Sequence, residues 1–377
     1  MQGYLTSWEG ESRAGPAGSP GMASAQQLHL GVALDGAGQH PAAWRVSDVR
    51  PAALFTAAHY LAHAKLAEAA SLDFVTLDDT LALQPGGEEV VRGRLDALLT
   101  FAALAPVTSG IGLVPTVTTT HTEPFHISTA VASLDFASRG RAGVLAVPSR
   151  TEAEVAHFGR RTLPSEVDAE AENAEVVDVI ARLWDSWEDG AIIRDEPTGR
   201  FIDREKLHYV DFEGRFFSVK GPSITPRPPQ GHPVVAVYGD SPYAHGADVV
   251  LIDEIRGARE RFPDAKLLAG LSIVLAETEQ AAIDRRRALE ARAPFPPGLS
   301  FTGTPADLAT ELPRIAASGG LDGFHLRPAV LPDDLALFTT ETVPALQAAG
   351  VFRQTYTGTT LRDHLGLGVA ANQYAEA

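Results

Sequence analysis

The sequence predicts an α/β protein built as a (β/α)8 TIM barrel, and three observations predict it. From Leu28 onward, short apolar runs alternate with longer amphipathic segments, the pattern of parallel strands joined by crossover helices. The runs number eight, which suits a closed barrel. No GxGxxG opens a helix, so the competing doubly wound open sheet lacks its signature.

The predicted strands are Leu28–Leu34, Leu72–Leu77, Gly110–Val117, Gly143–Val147, Val234–Tyr238, Asp248–Ile252, Leu267–Leu275 and Leu321–Leu326. The predicted helices are Leu54–Ala70, Arg92–Ala105, Glu123–Ser138, Asp168–Trp187, Glu277–Arg292, Pro305–Ala317 and Pro332–Ala349. Two stretches break the alternation. Gly190–Pro233 is polar and carries "TGRF", "FEGRFF" and "TPRPPQGHP", which reads as loop and short hairpin. Loops of this length in barrels are often functional. The second break is "VVAVYGDSPYAHGADVVLID", where Gly239–Ala247 is all that separates two strands. A parallel crossover needs roughly 10–12 residues and normally a helix. The outer helix around residues 239–247 is therefore expected to be shortened or missing.

Residues 1–27 are rich in Gly, Ser, Ala and Pro and lack the basic-then-apolar order of a signal peptide. They read as a disordered tail, with Met22 as a second possible start just before the first strand. The barrel is assigned to residues 28–367 and a C-terminal tail to 368–377. Composition is ordinary for a globular chain, 45% hydrophobic and 21% charged. A net charge of −17 argues against nucleic-acid binding. There is no apolar run of membrane-spanning length, and a cytoplasmic location is expected. The absence of cysteine excludes disulfides, thiolate catalysis and cysteine-ligated metals.

Seven stretches in order carry a resemblance: "GQHPAAWR" (38–45), "LDFVTLDDT" (72–80), "IGLVPTVTTTHTEPFH" (111–126), "ASLDFASRGRAG" (132–143), "LWDSWEDGAIIRD" (183–195), "GRFFSVKGPSITPRPPQGHPV" (214–234) and "TLRDHLGL" (360–367). Together they resemble the luciferase-like flavin monooxygenases, in the branch of nitrilotriacetate and long-chain alkane monooxygenases. The resemblance implies a TIM barrel that uses reduced FMN from a separate NAD(P)H-dependent flavin reductase. It implies O2 as co-substrate, oxygen insertion into a small organic substrate, and pairing of barrels as a homodimer or higher oligomer. A chain without redox-active side chains would need such a borrowed cofactor.

The resemblance places Asp79, Thr116 and Ser149 near the flavin, at the C-terminal ends of strands where barrel active sites lie. Asp79 in "DDT" also reads as a plain turn or helix cap, and Thr116 as a β-branched core residue. His40 and His121, in the loops after the first and third strands, are the candidates for proton transfer or substrate positioning. Either could equally be a surface loop histidine, and relatives usually carry Tyr at the place of His121. His59 and His63 have helical i,i+4 spacing but no third ligand, so they read as a packed pair. Trp184 and Trp187 read as packing of a helix onto the barrel.

Three departures from the family pattern bear on the flavin. Leu145 stands where the family has an amide in Trp-Asn. An Arg-Tyr pair expected before the long helix is absent, although Arg160 and Arg161 are nearby. Gly239-Asp240-Ser241-Pro242 replaces a Gly-Ser-Ser-Glu and its helix, whose N–H groups and dipole would cradle the FMN phosphate. Asp240 would face that phosphate with like charge, and Arg160, Arg161 or Arg227 are the cations that could compensate. Leu275–Gly303 is shorter than in relatives, so a more open pocket is expected. The leading reading is an FMN-dependent monooxygenase. The alternative is a non-catalytic luciferase-like barrel homologue with impaired flavin binding, acting as a binding or partner subunit. A deazaflavin-dependent dehydrogenase ranks third.

Overall fold

The computed structural model describes residues 4–6, 27–87, 90–241, 244 and 246–375. Its core is a closed barrel of eight parallel strands. They are β1 (His29–Ala33), β2 (Phe74–Leu77), β3 (Gly112–Thr118), β4 (Gly143–Val147), β5 (Val234–Tyr238), β6 (Val249–Ile252), β7 (Lys266–Leu275) and β8 (Gly323–Pro328). They run in neighbouring order, and β7 also pairs with β8 to complete the circuit. These are the eight apolar runs of the sequence. Every residue of β2 and β6 is buried, which is why they read as unbroken apolar stretches and not as alternating ones.

Two further strands were not expected. Leu299–Gly303 pairs parallel with the second half of β7, Leu271 opposite Leu299 through Leu275 opposite Gly303. It is too short, and too closely bracketed by Gly298 and Gly303, to stand out from a loop. Tyr4–Thr6 pairs antiparallel with it, Tyr4 opposite Thr302. The rest of the predicted tail that precedes Gln27, Met22 included, lies outside the described residues. Among the described residues, no helix is long and apolar enough to cross a membrane.

The chain divides into two compact units: Met1–Val75 with Pro85–Arg92 and Leu251–Tyr356, and Thr76–Gln84 with Gly93–Val250 and Thr357–Ala377. In the first, β8 passes so close to β1 that a Cβ on Gly323 would meet the His29 carbonyl at 1.8 Å, so only glycine fits there. Asp73 is wholly buried just before β2. Its Oδ2 accepts the Leu30 N–H at 2.7 Å, and its Oδ1 accepts from His29 Nδ1 at 3.0 Å and pairs with Arg353. Burial alone would raise its pKa; Arg353, then His29, outweigh burial and hold it below its ordinary 3.8. Helix α1 (Ala57–Ala69) starts at Thr56, whose hydroxyl accepts from the His59 N–H. His59 Nε2 lies 2.7 Å from the Gly36 carbonyl, and the His63 ring meets it edge-on at 4.4 Å. Burial, then the neighbouring His59, pushes His63 down to about 4, so the pair is packed and neutral near pH 7. Among the described residues, no group of His, Asp or Glu is arranged to hold a metal ion.

In the second unit, α2 (Ala97–Leu104), α3 (Pro124–Ser138), α4 (Glu152–Phe158) and α5 (Glu166–Asp185) surround β3 to β5. Trp184 and Trp187 pack as expected: their Nε1 groups donate to the Ser128 and Ser223 carbonyls at 3.1 and 2.7 Å. The polar break contains two small hairpins, Ile192–Asp195 with Arg200–Ile202 and Phe212–Glu213 with Ser218–Val219. Asp185 gathers Arg227, His232 Nε2 at 2.8 Å and the Gln373 N–H at 3.2 Å. Asn372 Nδ2 donates to the Asp185 and Trp187 carbonyls at 3.0 and 3.1 Å.

Between β5 and β6 the described residues form turns and no helix, as expected; Pro242, Tyr243 and His245 lie outside them. Asp248 replaces part of the lost support. It exchanges two hydrogen bonds with Val235, both at 3.0 Å, and its Oδ1 pairs with Arg362 at 3.0 Å.

Asp73→Ala should destabilise the fold by about 3–5 kcal/mol, since it strands the Arg353 charge in the interior. Urea unfolding at pH 7 checks this. Because the folded pKa is depressed, this contribution is fully present above pH 3.8 and is lost as pH falls through the folded value.

Candidate active site

The loops that follow β3, β4 and β5, and the loop after β2 apart from Pro85–Arg92, belong to the second unit, and seven of the eight predicted site residues lie on them or at their strand ends. Thr116 on β3 stands directly opposite Leu145 on β4, which stands opposite Ala236 on β5. The Thr116 side chain is thus flanked by apolar neighbours in its own row. It is 2% exposed and its hydroxyl has no hydrogen-bond partner among the described residues. Ser149, two residues past β4, is 1% exposed and its hydroxyl is likewise unpartnered, although its N–H donates to Thr120 Oγ1 at 2.8 Å. Buried hydroxyls without partners are rare and costly, and they mark places where a ligand can supply the missing bond.

Asp79 differs. Its Oδ1 accepts from the Thr80 N–H at 2.8 Å and its Oδ2 from the Ala97 N–H at 2.9 Å, at the start of α2. Arg94 stands 4.0 Å away. Burial raises its pKa, with the two N–H groups opposing. The capping role is the one its hydrogen bonds describe.

The loop after β4 holds an anion nest, and the chain itself fills it. Glu154 Oε2 accepts from the Arg150 N–H at 2.9 Å, the Thr151 N–H at 3.0 Å and the Thr151 hydroxyl at 2.9 Å. Its Oε1 accepts from the Thr80 hydroxyl at 2.8 Å. Burial would raise its pKa, but these hydrogen bonds lower it and keep it ionised. Next to it, Arg150 faces three carboxylates: Glu170 at 2.5 Å, Glu166 at 3.3 Å and Asp240 at 3.5 Å. Glu170 is 3% exposed and its second oxygen has no partner among the described residues. Gly239 and Ser241 are buried in the turn on either side of the exposed Asp240, with the Ser241 N–H donating to the Tyr238 carbonyl at 3.3 Å.

Of the three expected compensating cations, Arg160 is exposed and the other two are engaged elsewhere. Arg161 forks onto Glu172 at 2.7 and 2.8 Å, and Arg227 is buried against Asp185. The cation beside Asp240 is Arg150, which sequence reasoning passed over.

His121 follows β3 and stacks on Phe158, with centroids 4.7 Å apart and planes 5° from parallel. Its Nε2 is buried without a partner among the described residues. Burial, then the Arg161 charge, lowers its pKa below 6.5, so the ring is neutral at pH 7. His40 belongs to the first unit and is enclosed there at 2% exposure. Its Nδ1 accepts from the Ala42 N–H at 3.1 Å and its ring lies 5.3 Å from Phe295. Burial lowers its pKa, the Ala293 backbone and Glu290 oppose this, and Arg286 adds to it.

Sequence reasoning missed Arg150, Glu154 and Glu170. A signal for Glu154 was present: Thr151-Glu152-Ala153-Glu154 is a capping box, and it does start α4.

A family profile described as luciferase-like monooxygenase matches residues 36–246, more than half of the chain. The protein belongs to the luciferase-like monooxygenase family. This family member is 31% identical to the N-acetyl-S-(2-succino)cysteine monooxygenase of Bacillus subtilis, over 93% of this chain and 99% of that one. It is 30% identical to nitrilotriacetate monooxygenase component A of Aminobacter aminovorans, over 94% of this chain and all of that one. A riboflavin lyase solved with modified FMN and riboflavin superposes with a TM-score of 0.82 at 25% identity, covering 91% of this chain and 96% of that one. The luciferase-like chain is an enzyme, a flavin-dependent monooxygenase.

The residues fit the polar ring and ribityl parts of a flavin, because the orphaned Thr116 and Ser149 hydroxyls call for hydrogen-bonding partners of that kind. Thr116→Val and Ser149→Ala should each leave the flavin-free protein as stable as before or more so by about 1 kcal/mol, since no protein hydrogen bond is lost. Each should weaken flavin about fivefold, the loss of about 1 kcal/mol. Thermal melts with and without flavin check both halves.

Proposed function

We propose that this protein is the oxygenase component of a two-component system. Reduced FMN comes from a separate NAD(P)H-dependent flavin reductase, O2 is the co-substrate, and oxygen is inserted into a small organic substrate. The observation that supports this most is the full-length likeness to a protein named as component A of a monooxygenase. The enzyme works in the cytoplasm as a homodimer or higher homo-oligomer. No observation favours the non-catalytic alternative.

When bound, the reduced flavin supplies the electrons that activate O2. The chain's own residues bind and orient it and handle protons. Thr116 and Ser149 hold the flavin through their free hydroxyls. Gly239, Asp240 and Ser241 form the turn beside it, and Asp79 fixes the start of α2. His121 is the proton-handling residue: its ring is neutral, and Nε2 is the atom without a protein partner. His40, the second candidate for proton transfer or substrate positioning, is held in its own loop by the Ala42 N–H.

The test combines the purified protein with a flavin reductase, NAD(P)H and a panel that includes nitrilotriacetate and dibenzothiophene sulfone. Substrate oxidation that needs both proteins is the expected result. Folded protein that binds flavin in neither redox state would sink the reading.

The pH dependence follows from His121. Its pKa is depressed, so kcat/KM should be flat through pH 7 and fall on the acid side as the ring protonates below 6.5. His121→Asn should lower kcat/KM by about 10²-fold and remove that acid limb. A limb that persists in the variant assigns it to another group.

A further inference from the structure

We infer that this enzyme holds its flavin without an anchor for the phosphate, so that it binds riboflavin about as well as FMN. The inference rests on the flavin reading proposed above and concerns which flavin the site takes.

An FMN phosphate carries close to two negative charges at pH 7. A site that depends on it offers unengaged N–H groups at a helix N-terminus, or a cation free to pair. Among the described residues, the strand-end loops of the second unit offer no open cradle of N–H groups, and their cations other than the exposed Arg160 stand beside carboxylates. The nest made by the Arg150 and Thr151 N–H groups with the Thr151 hydroxyl is occupied by the Glu154 carboxylate. That carboxylate is itself held by Thr80, so vacating it would break four hydrogen bonds at once. Arg150 already serves Glu170, Glu166 and Asp240, and one guanidinium among three carboxylates leaves the group net negative. Arg161 is forked onto Glu172. Arg94 lies beside Asp79. A phosphate arriving at any of these places must displace a carboxylate from its cation and stay close to it.

The turn after β5 adds to this. The crossover it begins contains no helix among the described residues, so no helix dipole is aimed there. Asp240, one of the three carboxylates already counted at Arg150, is exposed on this turn. The two orphaned hydroxyls, Thr116 and Ser149, are uncharged, and they recognise groups that FMN and riboflavin share. Binding energy is thereby placed on the common part of the two ligands and withheld from the part that differs.

The test titrates the full-length protein anaerobically with FMN and with riboflavin, each oxidised and reduced, following flavin fluorescence and absorbance. It is done at low and high salt, about 0.02 and 0.5 M. Dissociation constants within about tenfold of each other are expected, with FMN affinity unchanged or improved by salt, because salt screens repulsion. Asp240→Ser should tighten FMN several-fold and leave riboflavin unchanged. Arg160→Ala, which removes an exposed cation of the same unit, should leave both unchanged.

FMN binding more than about tenfold tighter than riboflavin and weakened by salt overturns the inference and leaves the flavin reading standing. So does a comparable loss of FMN affinity in Arg160→Ala or a weakening of FMN in Asp240→Ser. Binding of neither flavin overturns both.

Discussion

Glu154 is the carboxylate on which the strand-end loops of the second unit depend. Its two oxygens take donors from the loop after β2 and from the loop after β4, and its own N–H closes the capping box of α4. Without it, the Arg150 and Thr151 N–H groups would lose the acceptor they share, a carboxylate on a residue only 4% exposed. The position of Arg150, and through it of Glu170 and Asp240, follows from that nest. So does the placement of Phe158, which carries the His121 ring. An interaction that a sequence reader would file under helix capping therefore sets the geometry of the site.

The same end of the unit shows how a chain of net charge −17 organises its cations. Arg94, Arg150 and Arg161 each stand beside at least one carboxylate, and Arg150 beside three. Guanidiniums at partly buried positions need such partners. The consequence is local neutrality or mild negative charge where a nucleotide-like cofactor would usually meet a positive field. Among the described residues, the buried atoms left unpartnered around this site are the Thr116 and Ser149 hydroxyls, His121 Nε2 and one oxygen of Glu170. A site of this composition suits a polar, weakly charged ligand.

The barrel was legible because parallel strands buried on both faces must be apolar along their length, and all eight announce themselves that way. The lost helix was legible from arithmetic, since nine residues cannot carry a helical crossover. Leu299–Gly303 was not, because a five-residue strand between glycines looks like any loop. At the site, Thr116 and Ser149 could be placed by strand end and resemblance. What could not be read was pairing. Nothing in the sequence says that Asp240 meets Arg150 or that Arg161 belongs to Glu172, because those contacts run from loops to other elements and follow no helical or strand spacing. Asp79 shows the converse: the plain capping reading and the functional one share one residue, and only the hydrogen bonds to Thr80 and Ala97 separate them.

The cluster at Asp185 has a bearing on biosynthesis. Its carboxylate and backbone carbonyl receive Gln373 and Asn372, which follow every strand of the sheet in the chain. While the chain emerges from the ribosome, α5, Arg227 and His232 are available long before these two partners. The last turn of α5 must therefore wait with its Asp185 carbonyl, and the Trp187 carbonyl beyond it, open to water. Docking of the tail excludes that water and comes as a late, separate event, after the strands have had every opportunity to close.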